Sequence, residues 1–259
     1  MKIERCSVSA REILIEACVN SVESAVEAQE GGAHRVELCD NLHDGGTTPS
    51  IGSIEAACTK LEIDLNVIIR PRGGDFLCSD LEFGIMKTDV VAARAAGADG
   101  VVFGMLRPDG TVDVERSRQL VELAGPMSTT FHRAFDMCAD PFAALEELIE
   151  LGVDRVLTSG QRPSAAEGAA LIGKLVDAAR EGIVVMPGVG IDASNIGHLI
   201  GLTGAREYHV LAERQAGSDM VFQNPSVSMG TDPEQPEFER PVTDSEAIRA
   251  IVEEASRAR

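Results

Sequence analysis

The feature that most constrains this chain is the alternation of short β-branched apolar runs with longer amphipathic segments along almost its whole length. Because short apolar runs are typical of buried strands, they predict strands at 13–19, 35–39, 65–70, 100–105, 128–135, 155–160, 183–190 and 207–212. The intervening segments predict helices at 21–31, 51–60, 80–96, 113–124, 140–151, 164–180, 192–200 and 243–256. Strict alternation of strand and helix predicts a parallel sheet.

A short repeat at the entry of every second predicted strand favours a closed sheet over an open one. Each copy begins with glycine and a small apolar residue, a pattern typical of a duplicated βαβα unit. The four copies are Gly32-Ala33-His34-Arg35, Gly97-Ala98-Asp99-Gly100, Gly152-Val153-Asp154-Arg155 and Gly204-Ala205-Arg206-Glu207. Eight βα units in 259 residues fit a closed (β/α)₈ barrel better than a doubly wound sheet. We therefore predict an α/β fold, a TIM barrel, with residues 1–259 as a single domain.

One segment departs from this pattern, residues 213–242 between the last predicted strand and the last predicted helix. Loops of this length in a compact domain are usually lids, interface pieces or disordered segments. Its acidic, proline-rich part at 231–241 is expected to be mobile, because such a composition buries little apolar surface.

The charge of the chain excludes several classes of function. Lys and Arg total 23 and Asp and Glu total 42, which gives a net charge of −19. A chain this acidic repels phosphate backbones and anionic bilayers, so we expect neither a nucleic-acid partner nor a membrane partner. The first residues lack the apolar core of a signal peptide, and the six cysteines form no C-x-x-C pair. We expect a cytoplasmic protein whose cysteines are thiols.

The motif Glu-x-Cys occurs twice, at the ends of the first two predicted strands. Residues two apart in a strand share a face, so Glu16, Cys18, Glu37 and Cys39 all point into the predicted barrel. Two thiols on neighbouring strands suit a soft ion such as Cu(I), whereas zinc normally takes four ligands. The alternative, equally favoured by the residues, is that the cysteines are small side chains filling the barrel mouth.

Two histidines on other predicted strands, His132 and His209, allow further interpretations of the site. They could complete a Cys₂His₂ zinc site with the two cysteines, or each could be a hydrogen-bonded core residue. His132, Glu37 and Glu16 are also the candidates for moving protons, should the chain be an enzyme. No lysine lies at a predicted strand end, which argues against Schiff-base chemistry.

The same predicted mouth gathers residue types that bind anions. Arg70 and Arg72 lie in the loop after the third strand, and guanidinium groups fit carboxylates and phosphates. Gly188 and Gly190 lie in the seventh loop, where many barrels bind phosphate on backbone amides. Alternatively, the arginines pair with nearby acidic side chains and close the barrel top. The candidate substrate-binding residues are Arg70, Arg72, Arg133, Asp136, Ser159, Gly188, Gly190 and His209.

Five strings resemble those of a known family. They are VELCDNLHDGGTTPSIG at 36–52, IIRPRGGDFLCSD at 68–80, TFHRAFDMCADP at 130–141, RVLTSG at 155–160 and PGVGI at 187–191. Together they resemble the CutC family of copper homeostasis proteins. The resemblance implies a TIM barrel, a cytoplasmic role linked to copper, and Cu(I) binding by Cys18 and Cys39.

The resemblance implies no reaction, so two functions stay open. The first is a copper homeostasis protein that binds Cu(I) through its two strand-end cysteines. The alternative is a TIM-barrel enzyme acting on a small anionic substrate, a phosphate or a carboxylate. The expected partner is accordingly a copper ion or a small anion, and assembly into a homo-oligomer is left open.

Overall fold

The computed structural model of the chain describes residues 13–224, 226–227 and 236–258. Its first eight strands are β1 Leu14–Val19, β2 Arg35–Leu38, β3 Asp64–Ile68, β4 Gly100–Phe103, β5 Ser128–Phe131, β6 Arg155–Thr158, β7 Val184–Pro187 and β8 Glu207–Val210. Its helices are α1 Val22–Glu30, α2 Ile51–Lys60, α3 Asp80–Ala96, α4 Val114–Ala124, α5 Pro141–Leu151, α6 Ala165–Ala179, α7 Ile196–Thr203 and α8 Ser245–Arg257.

The eight strands form one parallel sheet that closes on itself. Their order is β7-β6-β5-β4-β3-β2-β1-β8. A parallel backbone bridge between Gly188 and His209 joins the ends of this order, because Gly188 directly follows β7 and His209 lies in β8. The predicted (β/α)₈ barrel is therefore confirmed, and each predicted strand and helix is found close to its expected place.

The alternation of side chains along the strands separates two environments. The residues facing the helices, including Val36, Tyr208 and Phe131, are fully buried and belong to the main apolar core. A much smaller apolar cluster of Cys18, Cys39 and Ile68 lies inside the barrel. Buried polar side chains, among them Glu16, Glu37 and Asn66, lie on the same inward face of the strands.

Two boundaries differ from the prediction by about four residues, more than any other, and local hydrogen bonds explain both. The predicted fifth strand stops at Phe131, and a 3₁₀ helix spans Arg133–Met137. This turn begins where the imidazole of His132 accepts a hydrogen bond from the Ala134 amide. The seventh helix begins at Ile196 rather than 192, because the Asp192 carboxylate accepts bonds from Ser194 within a preceding turn.

The segment 213–242 begins and ends in a hairpin. Strand β9, Glu213–Gly217, pairs antiparallel with β10, Glu239–Thr243. The Thr243 amide bonds to the Ser24 hydroxyl in α1, which ties the hairpin to the barrel. Residues 239–241, expected to be mobile, instead pair in β10, and 228–235 lie outside the described residues.

Across the described ranges, no helix has the length and apolar character needed to cross a membrane.

Candidate functional site

The two predicted thiols lie together at the barrel mouth, in a diagonal arrangement. Cys18 in β1 is directly opposite Glu37 in β2, and Cys39 follows β2, its amide bonded to the Val19 carbonyl. Both cysteines are buried, and their Sγ atoms are 3.9 Å apart. A disulfide requires about 2.05 Å, so the pair consists of two separate thiols.

The two thiols differ in protonation. The hydrogen bond from Cys39 outweighs burial and, with help from His209, lowers the pKa of Cys18 to about 5. The same bond and burial raise the pKa of Cys39 well above its usual range. At neutral pH the pair is therefore a Cys18 thiolate that accepts a hydrogen bond from the Cys39 thiol.

His209 links the thiols to two buried carboxylates. Its Nδ1 lies 2.8 Å from Glu16 Oε1, and its Nε2 lies 3.6 Å from Glu37 Oε2. Burial alone would lower the pKa of His209, but Cys18 and the two carboxylates raise it well above its usual value. Burial raises the pKa of Glu37 to about 8, whereas Arg35 and His209 overcome burial and hold that of Glu16 far below its usual range.

A buried ion network below the thiols holds these groups in place. Arg35 bonds to both Glu16 and Glu207, and Arg155 bonds to Glu207 at 2.7 Å. The Asn66 amide donates to the second oxygen of Glu16 at 3.0 Å. Both carboxylate oxygens of Glu16 therefore have hydrogen-bond partners.

Two overlapping sets of donor atoms could hold a metal ion among the described residues. One set is Cys18, Glu37 and Cys39, and the other is Glu16, Glu37 and His209, with all atoms of a set within 4.8 Å of one another. Thiolates are soft ligands that favour Cu(I). The first set therefore fits that ion, which would be held by Cys18 and Cys39. His132 belongs to neither set, so the Cys₂His₂ alternative is not assembled among the described residues.

A cavity of about 280 Å³ opens above the thiols. Its lining combines residues of the thiol pair with arginine and histidine from the third and fifth βα loops: Cys18, Glu37, Cys39, Asp44, Gly45, Ile68, Arg70, Phe76, His132, Arg133, Leu157 and His209. Several predicted metal-binding and anion-binding residues therefore border one space.

Arg70 enters this cavity from the end of the third strand. Its side chain donates hydrogen bonds to the carbonyls of Asp44, Gly46 and Gly74 at 2.7–2.8 Å. Among the described residues, no carboxylate forms an ion pair with it. Burial and the nearby Arg72 guanidinium lower the pKa of Arg70, and the charge of Asp44 offsets them only in part.

His132 faces the same cavity as a neutral ring. Burial and the charge of Arg70 lower its pKa to about 3. Its Nδ1 accepts the Ala134 amide at 3.1 Å, so the ring proton lies on Nε2, an atom with no partner. Gly104 makes room for this ring, since a Cβ there would lie 2.4 Å from His132 Nδ1.

Other predicted residues lie at the edge of the cavity or outside it. Arg72 is 42% exposed and pairs with Asp75 and Glu82. Asp136 pairs with Arg133 and accepts bonds from the Ser159 amide and hydroxyl, which ties the 3₁₀ helix to the end of β6.

The two predicted glycines of the seventh loop contribute to packing and hydrogen bonding outside the cavity. A Cβ on Gly188 would lie 2.7 Å from Leu157 Cδ1, and the carbonyl of Gly190 accepts a bond from Asn195. Neither glycine lines the cavity.

Sequence reasoning did not single out three residues that support the site. Arg35, Arg155 and Glu207 form the buried ion network, yet in the sequence they stand out only as parts of the repeated strand entries. Each lies two positions before an interior residue of its own strand, so the alternation rule already placed it inside the barrel.

The comparisons with known proteins agree on one family. A model of the CutC family matches residues 13–214. Copper homeostasis protein cutC homologs of Mus musculus and Homo sapiens are 50% and 48% identical to this chain, covering 92% and 94% of it and 88% and 89% of their own lengths. A CutC family protein of Parabacteroides distasonis is 49% identical over 92% of this chain and 99% of its own.

Solved structures show the same relationship. A crystal structure of CutC from Streptococcus agalactiae has a TM-score of 0.73 and 35% identity, and it covers 76% of this chain and 97% of that one. A thiamine phosphate pyrophosphorylase from Pyrococcus furiosus, at 16% identity and a TM-score of 0.59, shares the fold alone. From the family match and near-half identity along most of its length, we conclude that this chain belongs to the CutC family.

Proposed function

We propose that this protein binds Cu(I) through Cys18 and Cys39 and serves copper homeostasis in the cytoplasm. The observation that carries the proposal is the pair of buried thiols 3.9 Å apart, one of which has a pKa of about 5. Its relatives in mouse and human are named copper homeostasis proteins, which supports the same function.

The chemistry of the pair favours Cu(I) over harder ions. A metal ligand must be deprotonated, and Cys18 already meets this condition at neutral pH. Cu(I) accepts few, soft ligands, whereas a structural zinc site usually takes four. An ion bound here would replace the Cys39 proton, and His209 would keep its contact with Cys18.

The same chemistry supports the proposed cytoplasmic location. No disulfide joins the cysteines of the described ranges, and Cys18 and Cys39 can bind a metal only while they are reduced. The cysteines of cytosolic proteins are kept reduced, whereas those of secreted proteins usually form disulfides.

The test is anaerobic competition with a chromophoric Cu(I) chelator. We expect wild-type protein to take about one Cu(I) per chain, and the Cys18→Ser and Cys39→Ser double variant to take none at the same chelator concentration, because both soft ligands are removed.

The matched control is Cys138→Ser. Cys138 is also buried, but its thiol contacts Gln161 outside the cavity. This variant should bind copper as wild type does. Equal copper affinity in the double variant and wild type would disprove the proposed ligands.

A further inference from the structure

Three buried side chains around one cavity each carry a polar atom without a partner. The side chains are Glu37, Arg70 and His132, and the atoms are Oε1, Nε and Nε2 respectively. Each residue is at most 8% exposed. Buried polar groups are nearly always hydrogen-bonded, so three exceptions around one space call for a common explanation.

Arg70 and His132 present fixed hydrogen-bond donors on one side of the cavity. Three backbone carbonyls hold the guanidinium of Arg70, and the Phe76 ring lies 5.1 Å from its central carbon. His132 is held by the Ala134 amide on one side and packs against Phe76 at 5.0 Å between ring centres. These contacts fix both side chains in position, so little side-chain entropy is lost when they bind a ligand.

The positive charge on the Arg70 side of the cavity favours an anionic ligand. Arg70 has no carboxylate partner among the described residues, and the half-exposed Arg133 adds a second guanidinium at the rim. Guanidinium and imidazole N–H groups together suit the oxygens of a carboxylate or phosphate. Glu37 lines the same cavity together with Cys18 and Cys39, and its unpartnered oxygen can accept a bond from a hydroxyl.

We infer that the barrel mouth binds a small oxyanion, a carboxylate or phosphate, with its charged end on Arg70 and His132, and that a hydroxyl on the ligand bonds to Glu37. The cavity of about 280 Å³ is slightly smaller than most ligand pockets, which are roughly 300–1,000 Å³, so the ligand is a small metabolite. This inference goes beyond copper binding and does not depend on it.

The test is calorimetric titration of reduced, metal-free protein with glycolate, acetate and inorganic phosphate. We expect at least one of them to bind, and glycolate to bind more tightly than acetate because only glycolate carries a hydroxyl. The phosphate arm distinguishes a phosphate site from a carboxylate site. Absence of binding by all three probes would overturn the inference.

Variants locate the bound anion. Arg70→Met should weaken binding by ~10- to 100-fold, the effect of losing a hydrogen bond to a charged group. Arg72→Met is the matched control, because Arg72 lies in the same loop but is exposed and already paired with carboxylates. It should bind as wild type does.

Two further variants keep the test decisive if Arg70→Met fails to fold. Gly104→Ala places a methyl group against His132, and His132→Leu removes its donor, so both should weaken binding. Wild-type affinity in all of these variants that fold would exclude the assigned site.

The Cys18→Ser and Cys39→Ser double variant separates this inference from the proposed function. It should lose copper and still bind the anion. If the wild-type protein binds the anion but no copper, only the copper proposal is disproved. If the double variant loses anion binding, the anion site depends on the thiols and this inference is refuted.

Discussion

At the scale of single residues, His132 and His209 show how strongly surroundings determine chemistry. Both are buried histidines at the barrel mouth. Cys18, Glu16 and Glu37 raise the pKa of His209, whereas His132 is buried beside Arg70 and its pKa falls to about 3. One is therefore a cation in an ion network, and the other is a neutral donor.

The low pKa of His132 predicts a specific loss of stability in acid. An unfolded histidine takes up a proton near pH 6.5, whereas the folded ring, facing Arg70 and Arg133, does so only near pH 3. The stability that the neutral ring contributes is thus complete above pH 6.5 and is lost as the pH falls towards 3, by at most ~1.4 kcal/mol per pH unit.

Urea denaturation of wild type and His132→Gln across this pH range measures the effect. The difference between their free energies of unfolding should change with pH in the stated window and stay constant above it. A constant difference throughout would show that His132 has the same pKa in the folded and the unfolded protein, which would contradict the shift.

At the scale of elements, the turn after β5 shapes one side of the mouth. The 3₁₀ helix Arg133–Met137 is held by Asp136, whose carboxylate accepts bonds from the Thr158 hydroxyl and from the Ser159 and Gln161 amides at the end of β6. One buried carboxylate thereby joins two βα loops. It fixes the position from which Arg133 reaches the cavity.

Asp136→Asn should destabilise the protein by about 2–4 kcal/mol. The asparagine side chain carries no negative charge, and its NH₂ group adds two donors. These donors would face the backbone amides and the hydroxyl that now donate to Asp136, so buried donors would lack acceptors. Chemical denaturation measures this cost. Asp219→Asn, at an exposed position, is the control and should change stability by no more than ~0.5 kcal/mol. Equal effects of the two changes would contradict the role of Asp136.

At the scale of the whole molecule, charged side chains inside the barrel connect distant strands. Arg35 from β2 bonds to Glu16 from β1 and Glu207 from β8, and Arg155 from β6 reaches the same Glu207. Buried charges are costly unless they are paired, so this network specifies how the strands meet around the ring.

Arg35→Met should cost ~3–5 kcal/mol in the free energy of unfolding, because it leaves two buried carboxylates with one fewer counter-ion. Arg240→Met is the matched control. Arg240 forms an exposed pair with Glu23, both 57% exposed, and such pairs contribute at most ~1 kcal/mol. Thermal and urea unfolding should show the contrast, and a small loss for Arg35→Met would mean that the interior admits water.

The sequence by itself determined the barrel and the set of residues inside it. Periods of two and of about 3.6 residues are local properties, so they place Glu16, Cys18, Glu37 and Cys39 on the inner face without knowledge of distant contacts. The resemblance of the five strings to CutC sequences identified the family, and the comparisons confirm it.

Only the tertiary structure decided what those residues do to one another. Arg70 and Arg72 are two positions apart in one loop, yet carbonyls from another loop bury the first, while carboxylates hold the second at the surface. Burial, pairing and protonation depend on segments far apart in the chain. Local pattern determines the face on which a side chain lies, but long-range contacts determine its charge state and its partners.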